Sequence, residues 1–219
     1  MKREKYMTML FATCVLSYFM MINMSMTASA EDLSKYYGKT TSQQKIETFI
    51  FDLRDSYINE KKLIQYANEL TGLNLSDCEY MAKECKNEKL DIFLFLGVLR
   101  RESNFNPSAI GTSGERGLGQ LMENTAKPVA ENLGYEYHSD RLFDTKFNIK
   151  LTITQLLYLI NIYDGDLHMA LTAYNRGQQG LDDYMEKRSH ANNPGESEYS
   201  LKVLQFAGEY KEEFDKFNN

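Results

Sequence analysis

Glu102 has an unusual address. It follows the apolar run "DIFLFLGVL" of residues 91–99 and precedes a long loop rich in Gly, Ser, Asn and Pro. At helical spacing it shares a face with Leu99, Phe95 and Ile92. A carboxyl group at the rim of an apolar wall is partly desolvated, which disfavours its charged form and raises its pKa. A group tuned in that way can give and take a proton near neutral pH, as a general acid and base must. Arg100 and Arg101 oppose the shift, since a nearby cation favours the carboxylate; they leave the helix at different angles, so burial should win. The plain alternative is a glutamate of a last helical turn that faces solvent, and from this helix alone the plain reading is the stronger one.

Other reactive side chains are sparse. His138, His168 and His190 lie far apart and no Cys/His cluster has metal spacing, so neither a metal nor a cofactor is expected. Cys78 and Cys85 would sit ~10 Å apart on one continuous helix. A disulfide tolerates at most ~7 Å, so a bridge would need that helix to break. Glu115 is a second acid close to Glu102, and reads as a solvated turn residue.

Helices must position these groups, because the periodicity is helical nearly throughout. Residues 42–58 carry Ile46, Phe49, Ile50, Leu53 and Tyr57 on one stripe, and a second segment, 60–70, ends at Gly72. "SDCE", Ser76 to Glu79, has capping-box spacing and should open the next helix. Asp91 should cap the helix that ends near Glu102. Residues 103–123, with Gly111, Gly114, Gly117 and Gly119, read as a structured loop with room for a small hairpin. A short helix follows from about Asn124 to Gly134. Asp144 starts a long helix, apolar nearly all round, that belongs at the centre of a domain. Asp166 should cap "LHMALTAYN", and the last helix should run over about 196–217 with Tyr199, Val203, Phe206, Tyr210, Phe214 and Phe217 on one face. No strand-like alternation, repeat or proline-rich linker appears.

Residues 1–30 have the layout of a secretory signal: Lys2, Arg3 and Lys5, an apolar stretch from about Met7 to Met24, and Ala28-Ser29-Ala30 at the end. An uncleaved anchor over 7–28 is the alternative, since the stretch approaches the ~20 residues that span a bilayer. The expected organisation is a signal at 1–30, an N-terminal helical extension at 31–75 and a catalytic domain at 76–219. The formal net charge is −6, and the residues without the basic start are more acidic still. Without a basic run such a chain is a poor nucleic-acid binder. A neutral or peptide-bearing polysaccharide is a more compatible partner.

The stretch after Glu102 changes the balance. "ESNFNPSAIGTSGERGLGQLMENTA" resembles the soluble lytic transglycosylase-like domains of the lysozyme superfamily. Those domains show Glu-Ser, a Phe-Asn-Pro-x-Ala stretch, Gly-Leu-x-Gln-Leu-Met and Thr-Ala. Here these are Glu102-Ser103, Phe105 to Ala109, Gly117 to Met122 and Thr125-Ala126. "ALTAYNRG" is similar to the family's Ala-Tyr-Asn-x-Gly segment at Ala173 to Gly177, and Tyr199 in "EYSLKVL" stands where the family has a tyrosine. The resemblance spans about residues 102–204 and implies a mainly α, lysozyme-like helical domain. It implies that Glu102 is the single catalytic acid and base, that Ser103 supports the sugar's N-acetyl group or the glutamate, and that Gln120 binds the glycan. Tyr174 and Asn175 would line the cleft near the scissile bond, and Tyr199 would orient Glu102. Three positions depart from the family: Gly119 where Met is commonest, Glu123 for a usual Pro, and Arg176 for a small Ala, which adds charge beside the expected cleft.

The resemblance also implies a chemistry. Most glycosidases use two carboxylates, ~5 to 9.5 Å apart. A single glutamate suits cleavage of the MurNAc-β-1,4-GlcNAc bond of peptidoglycan in which the sugar's own 6-hydroxyl closes a 1,6-anhydro ring. The rivals are a muramidase that uses water and a glycan-binding module without turnover, attached to an apparatus that crosses the wall. A desolvated acid at Glu102 argues against the binding module.

Overall fold

The computed structural model describes residues 41–218; the expected export signal lies outside them. The chain divides into two compact units, Met1–Asp55 and Ser56–Asn219. The described part of the first is the opening of helix α1 (Thr41–Thr71), where Phe49 and Phe51 are exposed. The two helical segments expected over 42–58 and 60–70 are this one helix. The residues between them, Asn59 to Lys61, include neither Gly nor Pro, so nothing ends the ladder.

In the second unit four helix starts can be traced to a capping side chain. Helix α2 (Leu75–Asn87) is capped by Asn74, which accepts from the Asp77 N–H at 3.0 Å and donates to Asp77 Oδ2 at 2.8 Å. This reciprocal cap lies two residues before the one expected at Ser76, whose hydroxyl instead accepts from Lys146 Nζ at 2.7 Å. Cys78 and Cys85 are both buried on uninterrupted α2 as free thiols, so the break that a bridge needs is absent. Asp91 caps α3 (Ile92–Ser103), Asp144 caps α5 (Thr145–Ile162) and Asp166 caps α6 (Leu167–Lys187), each through a backbone N–H of the first turn. Between α3 and α5 lie α4 (Glu123–Asn132) and a 3₁₀ turn, Ser139–Phe143. Helix α6 continues past the expected stop at Asn175, with a break at Gly177 (φ 73°, ψ 164°). Helix α7 (Glu198–Asn218) closes the unit.

Helices α3 and α5 are buried along most of their length, and the others wrap them. Phe95, Leu96 and Leu99 of α3 meet Met81 and Cys85 of α2, Ile149, Ile153 and Leu156 of α5, and Val203 of α7 in one core. A second cluster, Leu121, Ala126, Ala130, Leu142, Phe147 and Leu151, ties the loop after α3 and helix α4 to α5. Lys150 of α5 holds Glu84 of α2 and Glu88, the residue that caps its end, at 2.8 and 2.9 Å. Among the described residues there is no strand; the expected hairpin is reduced to single bridges, Ile110 to Arg116 and Arg116 to Leu121. No described helix is long and apolar enough to cross a membrane.

Helix α7 lies so close to α3 that a Cβ at Gly97 would stand 2.6 Å from the Val203 carbonyl oxygen. Gly208, also on α7, has nothing within 4 Å of such an atom. Gly97→Ala should therefore destabilise by ~1–3 kcal/mol, as overpacking does. Gly208→Ala should stabilise by ~0.5–1 kcal/mol through helix propensity alone. Chemical denaturation of the two variants checks the order; equal effects would mean that α3 and α7 have room to part.

Candidate active site

Helix α3 ends directly after Glu102 because Asn104 turns left-handed (φ 53°) and sends its N–H back to the Arg100 carbonyl at 3.2 Å. Phe105 is left-handed as well (φ 65°), its N–H reaching the Leu99 carbonyl at 3.4 Å, and its ring is buried beside Tyr210. The chain thus leaves the helix sharply and leaves the Glu102 carboxyl at the open end of an apolar column. Arg100 lies over the rings of Phe105 and Phe206, and Arg101 over Tyr199. In the last helical turn both cations also complement the helix dipole, whereas a carboxylate there is disfavoured by it.

Glu102 is half-buried, and the buried Tyr199 on the first turn of α7 donates its hydroxyl proton to Glu102 Oε1. Burial pushes the Glu102 carboxyl up to about 7 from its ordinary 4.5. The Tyr199 hydrogen bond and the charge of Arg101 pull the other way without prevailing, and Glu115 adds to the rise. The phenols of Tyr199 and Tyr174 are raised well above 10 by burial and by the charge of Glu102, so both keep their protons as donors. This pairing joins residues 97 positions apart in sequence.

Tyr174 stands on α6 and donates to the Gly119 carbonyl at 2.7 Å. It feels the charge of Glu102, so the loop, Tyr174, Tyr199 and Glu102 form one neighbourhood. Gln120 is left-handed (φ 46°), and its amide N–H groups go to the Ala109 and Gly117 carbonyls at 3.1 and 2.8 Å. Its donors therefore brace the loop, and Oε1 is the atom left for a ligand. The Ser103 hydroxyl turns back onto its own helix, 3.3 Å from the Leu99 carbonyl. Asn175 is exposed next to Tyr174, just before the break at Gly177. Arg176 does not reach toward the carboxyl: its guanidinium lies over the Tyr184 ring at 4.6 Å. Glu115 Oε2 accepts the Ser113 N–H at 2.9 Å, the turn role expected for it.

Two residues of the neighbourhood escape sequence reasoning. Asn148 and Thr152 lie one helical turn apart on α5, both fully buried. Asn148 Oδ1 accepts from the Gly119 N–H at 2.8 Å, and its amide donates to the carbonyls of Arg116 and Leu142 at 3.1 and 2.9 Å. A Cβ on Gly119 would stand 2.0 Å from Thr152 Oγ1, which accounts for glycine at this position. Glu123, the other departure in the loop, is the first residue of α4, where a proline or an acid suits a helix start equally. The available signal for Asn148 and Thr152 was two polar residues at i, i+4 inside a helix apolar nearly all round. A cavity of about 710 Å³ opens beside the same loop, walled by Arg116, Met122, Lys127, Tyr137 and Leu142. Glu102 is not in its walls, so the candidate site rests on the setting of the carboxyl rather than on that hollow. Among the described residues no three His, Cys, Asp or Glu side chains converge as metal donors.

A sequence profile of the transglycosylase SLT domain matches residues 79–194. A Haemophilus influenzae protein that carries the name soluble lytic murein transglycosylase is 30% identical over 112 residues, which is 51% of this chain and 19% of that protein. The chain thus spans about a fifth of the length of this curated relative. Among solved structures, an inactive glutamate-to-glutamine variant of lytic transglycosylase Slt from Pseudomonas aeruginosa is similar, with a TM-score of 0.54 and 23% identity over 62% of this chain and 24% of that one. The 70 kDa soluble lytic transglycosylase from Escherichia coli is similar with a TM-score of 0.51 and 18% identity, over 68% of this chain and 29% of that one. These two likenesses show the mainly helical fold.

A carboxyl at about 7 when folded and 4.5 when free binds its proton more tightly in the folded state. Its contribution to stability is fully present below about 4.5 and is lost as the pH rises through about 7. The melting temperature should fall across that window, and Glu102→Gln, which carries no charge, should remove this part of the slope. An identical slope in the variant would place the titrating group elsewhere. Tyr199→Phe takes away a donor that favours the carboxylate, so the midpoint of Glu102, followed by carboxyl ¹³C NMR, should move up.

Proposed function

Since the chain belongs to the transglycosylase SLT domain family, we propose that it is a lytic transglycosylase that cuts the MurNAc-β-1,4-GlcNAc bond of peptidoglycan, with Glu102 as its acid and base. The observation that carries the reading is the state of Glu102: half-buried, held at Oε1 by Tyr199, and poised at about 7. A carboxyl at that value is present in both protonation states near neutral pH, so one group can serve twice.

In this reading Oε2 carries the proton, because the Tyr199 hydroxyl occupies Oε1. Glu102 passes that proton to the glycosidic oxygen as the bond from C1 breaks. The N-acetyl carbonyl of the muramic acid residue stabilises the cation that develops at C1. The carboxylate left behind then takes the proton of the 6-hydroxyl, and O6 bonds to C1 to close the 1,6-anhydro ring. The proton given up in the first step returns in the second, and no water is consumed. Tyr199, un-ionised at every physiological pH, keeps the carboxyl aligned through both steps. Gln120 Oε1 and Asn175 are the polar atoms this reading offers to the glycan. Because the substrate lies outside the cytoplasmic membrane, the reading carries with it the export expected from residues 1–30.

Mass spectrometry of a digest of purified sacculi tests the proposal. The expected products are muropeptides with 1,6-anhydro ends. Glu102→Gln should lower their rate by ~10²–10⁴-fold or more with the fold intact. Reducing ends in place of anhydro ends would make the enzyme a muramidase. No cleavage by the wild type, or cleavage by Glu102→Gln within tenfold of it, would sink the reading.

A further inference from the structure

We propose that Asn148 is a positioning residue for Glu102: it clamps the segment Gly117–Gly119 onto α5 and so sets where that loop and Tyr174 stand against the carboxyl. The inference deepens the assignment of Glu102 as acid and base and rests on it.

The clamp uses every hydrogen-bonding capacity of one buried amide. Oδ1 accepts from the Gly119 N–H at 2.8 Å and from the Thr152 hydroxyl at 3.3 Å; Nδ2 donates to the Arg116 carbonyl at 3.1 Å and the Leu142 carbonyl at 2.9 Å. Two acceptor and two donor bonds fix which way the amide faces. An aspartate would lose both donors, and a leucine all four bonds; the buried Leu142 carbonyl would lose the Asn148 donor, and the Arg116 carbonyl would keep the Leu121 N–H. The loop has no slack to make up the loss. A Cβ at Gly117 would stand 2.1 Å from the Leu142 carbonyl and 2.4 Å from Asn148 Nδ2, so this backbone lies directly on the helix.

A single residue then carries the position onward. The N–H of Gly119 belongs to Asn148, and its carbonyl receives the hydroxyl of Tyr174 at 2.7 Å. Thr152, one turn along, completes the corner: its hydroxyl bonds to Asn148 and also stands at the Tyr174 phenol. The charged and titratable groups that act on Glu102 are Arg101 from its own helix, Glu115 from the loop, Tyr174 from α6 and Tyr199 from α7. Asn148 is not one of them. It acts through the loop, whose Gly119 carbonyl holds the Tyr174 phenol and whose Glu115 adds to the rise at Glu102.

The test reads Glu102 itself, by carboxyl ¹³C NMR, in Asn148→Ala and in the milder Thr152→Val, alongside the pH dependence of sacculus cleavage. A loosened loop admits water and lets Glu115 recede, and both changes favour the carboxylate. The midpoint of Glu102 should move down by roughly one pH unit in Asn148→Ala. The loss of activity at high pH should move down with it, and turnover at neutral pH should fall by ~10-fold or more, as small misplacements do. Thr152→Val should shift the midpoint in the same direction by less, and it carries the test if Asn148→Ala fails to fold. An unchanged midpoint in a folded variant that merely melts at lower temperature would make the clamp structural only and overturn the inference. Because the midpoint is read without turnover, a wild type that cleaves nothing would refute the proposed function and still leave this measurement decisive.

Discussion

A carboxyl group folded into an apolar wall opposes folding unless it keeps its proton or finds a donor, and Glu102 does both. Its column of Ile92, Phe95 and Leu99 withdraws water, and Tyr199 returns a single hydrogen bond. Most of the architecture follows from that balance. Helix α3 must be buried to desolvate the group and must stop immediately after it to leave it accessible. Helix α7 must lie close enough for its first turn to reach across, which is why Gly97 faces the Val203 carbonyl with no room for a side chain. The two arginines of the last turn lie on aromatic rings, and the charge of Arg101, which favours the carboxylate, does not prevail over burial.

The loop is held by different means. It contains no regular ladder beyond two single bridges, so its shape is imposed from below by α5. Asn148 supplies the hydrogen bonds, with the Thr152 hydroxyl donating to it from one turn on, and Gly117 and Gly119 supply the close approach. Glycine in place of the family's usual methionine at 119 is matched to the threonine beneath it, so the departure and the helix belong to one packing solution.

Much of this was legible in the sequence, and the failures have physical reasons. Asp91, Asp144 and Asp166 were readable as caps because each immediately precedes an apolar period. Asn74 and Ser76 each have an acid three residues on, and only the packing of Leu73 and Cys78 into the core selects the earlier start. The segment capped by Asp166 was read as ending at Asn175, whereas a left-handed glycine, here Gly177, can break a helix that then resumes. The pairing of Glu102 with Tyr199 could not come from periodicity, since the two lie on separate helices; the resemblance of separated motifs supplied it. Asn148 and Thr152 were missed because two polar residues one turn apart name no partner: Asn148 bonds backbone groups of an aperiodic loop, and Thr152 bonds Asn148.

The two buried thiols on α2 carry a consequence for the surroundings in which the chain folds. Burial raises the pKa of Cys78 and, further, that of Cys85, so neither forms the thiolate that oxidants attack. The intact helix between them also forbids the bridge that an oxidase would make. Among the described residues the fold therefore needs no disulfide and asks nothing of a disulfide-forming catalyst.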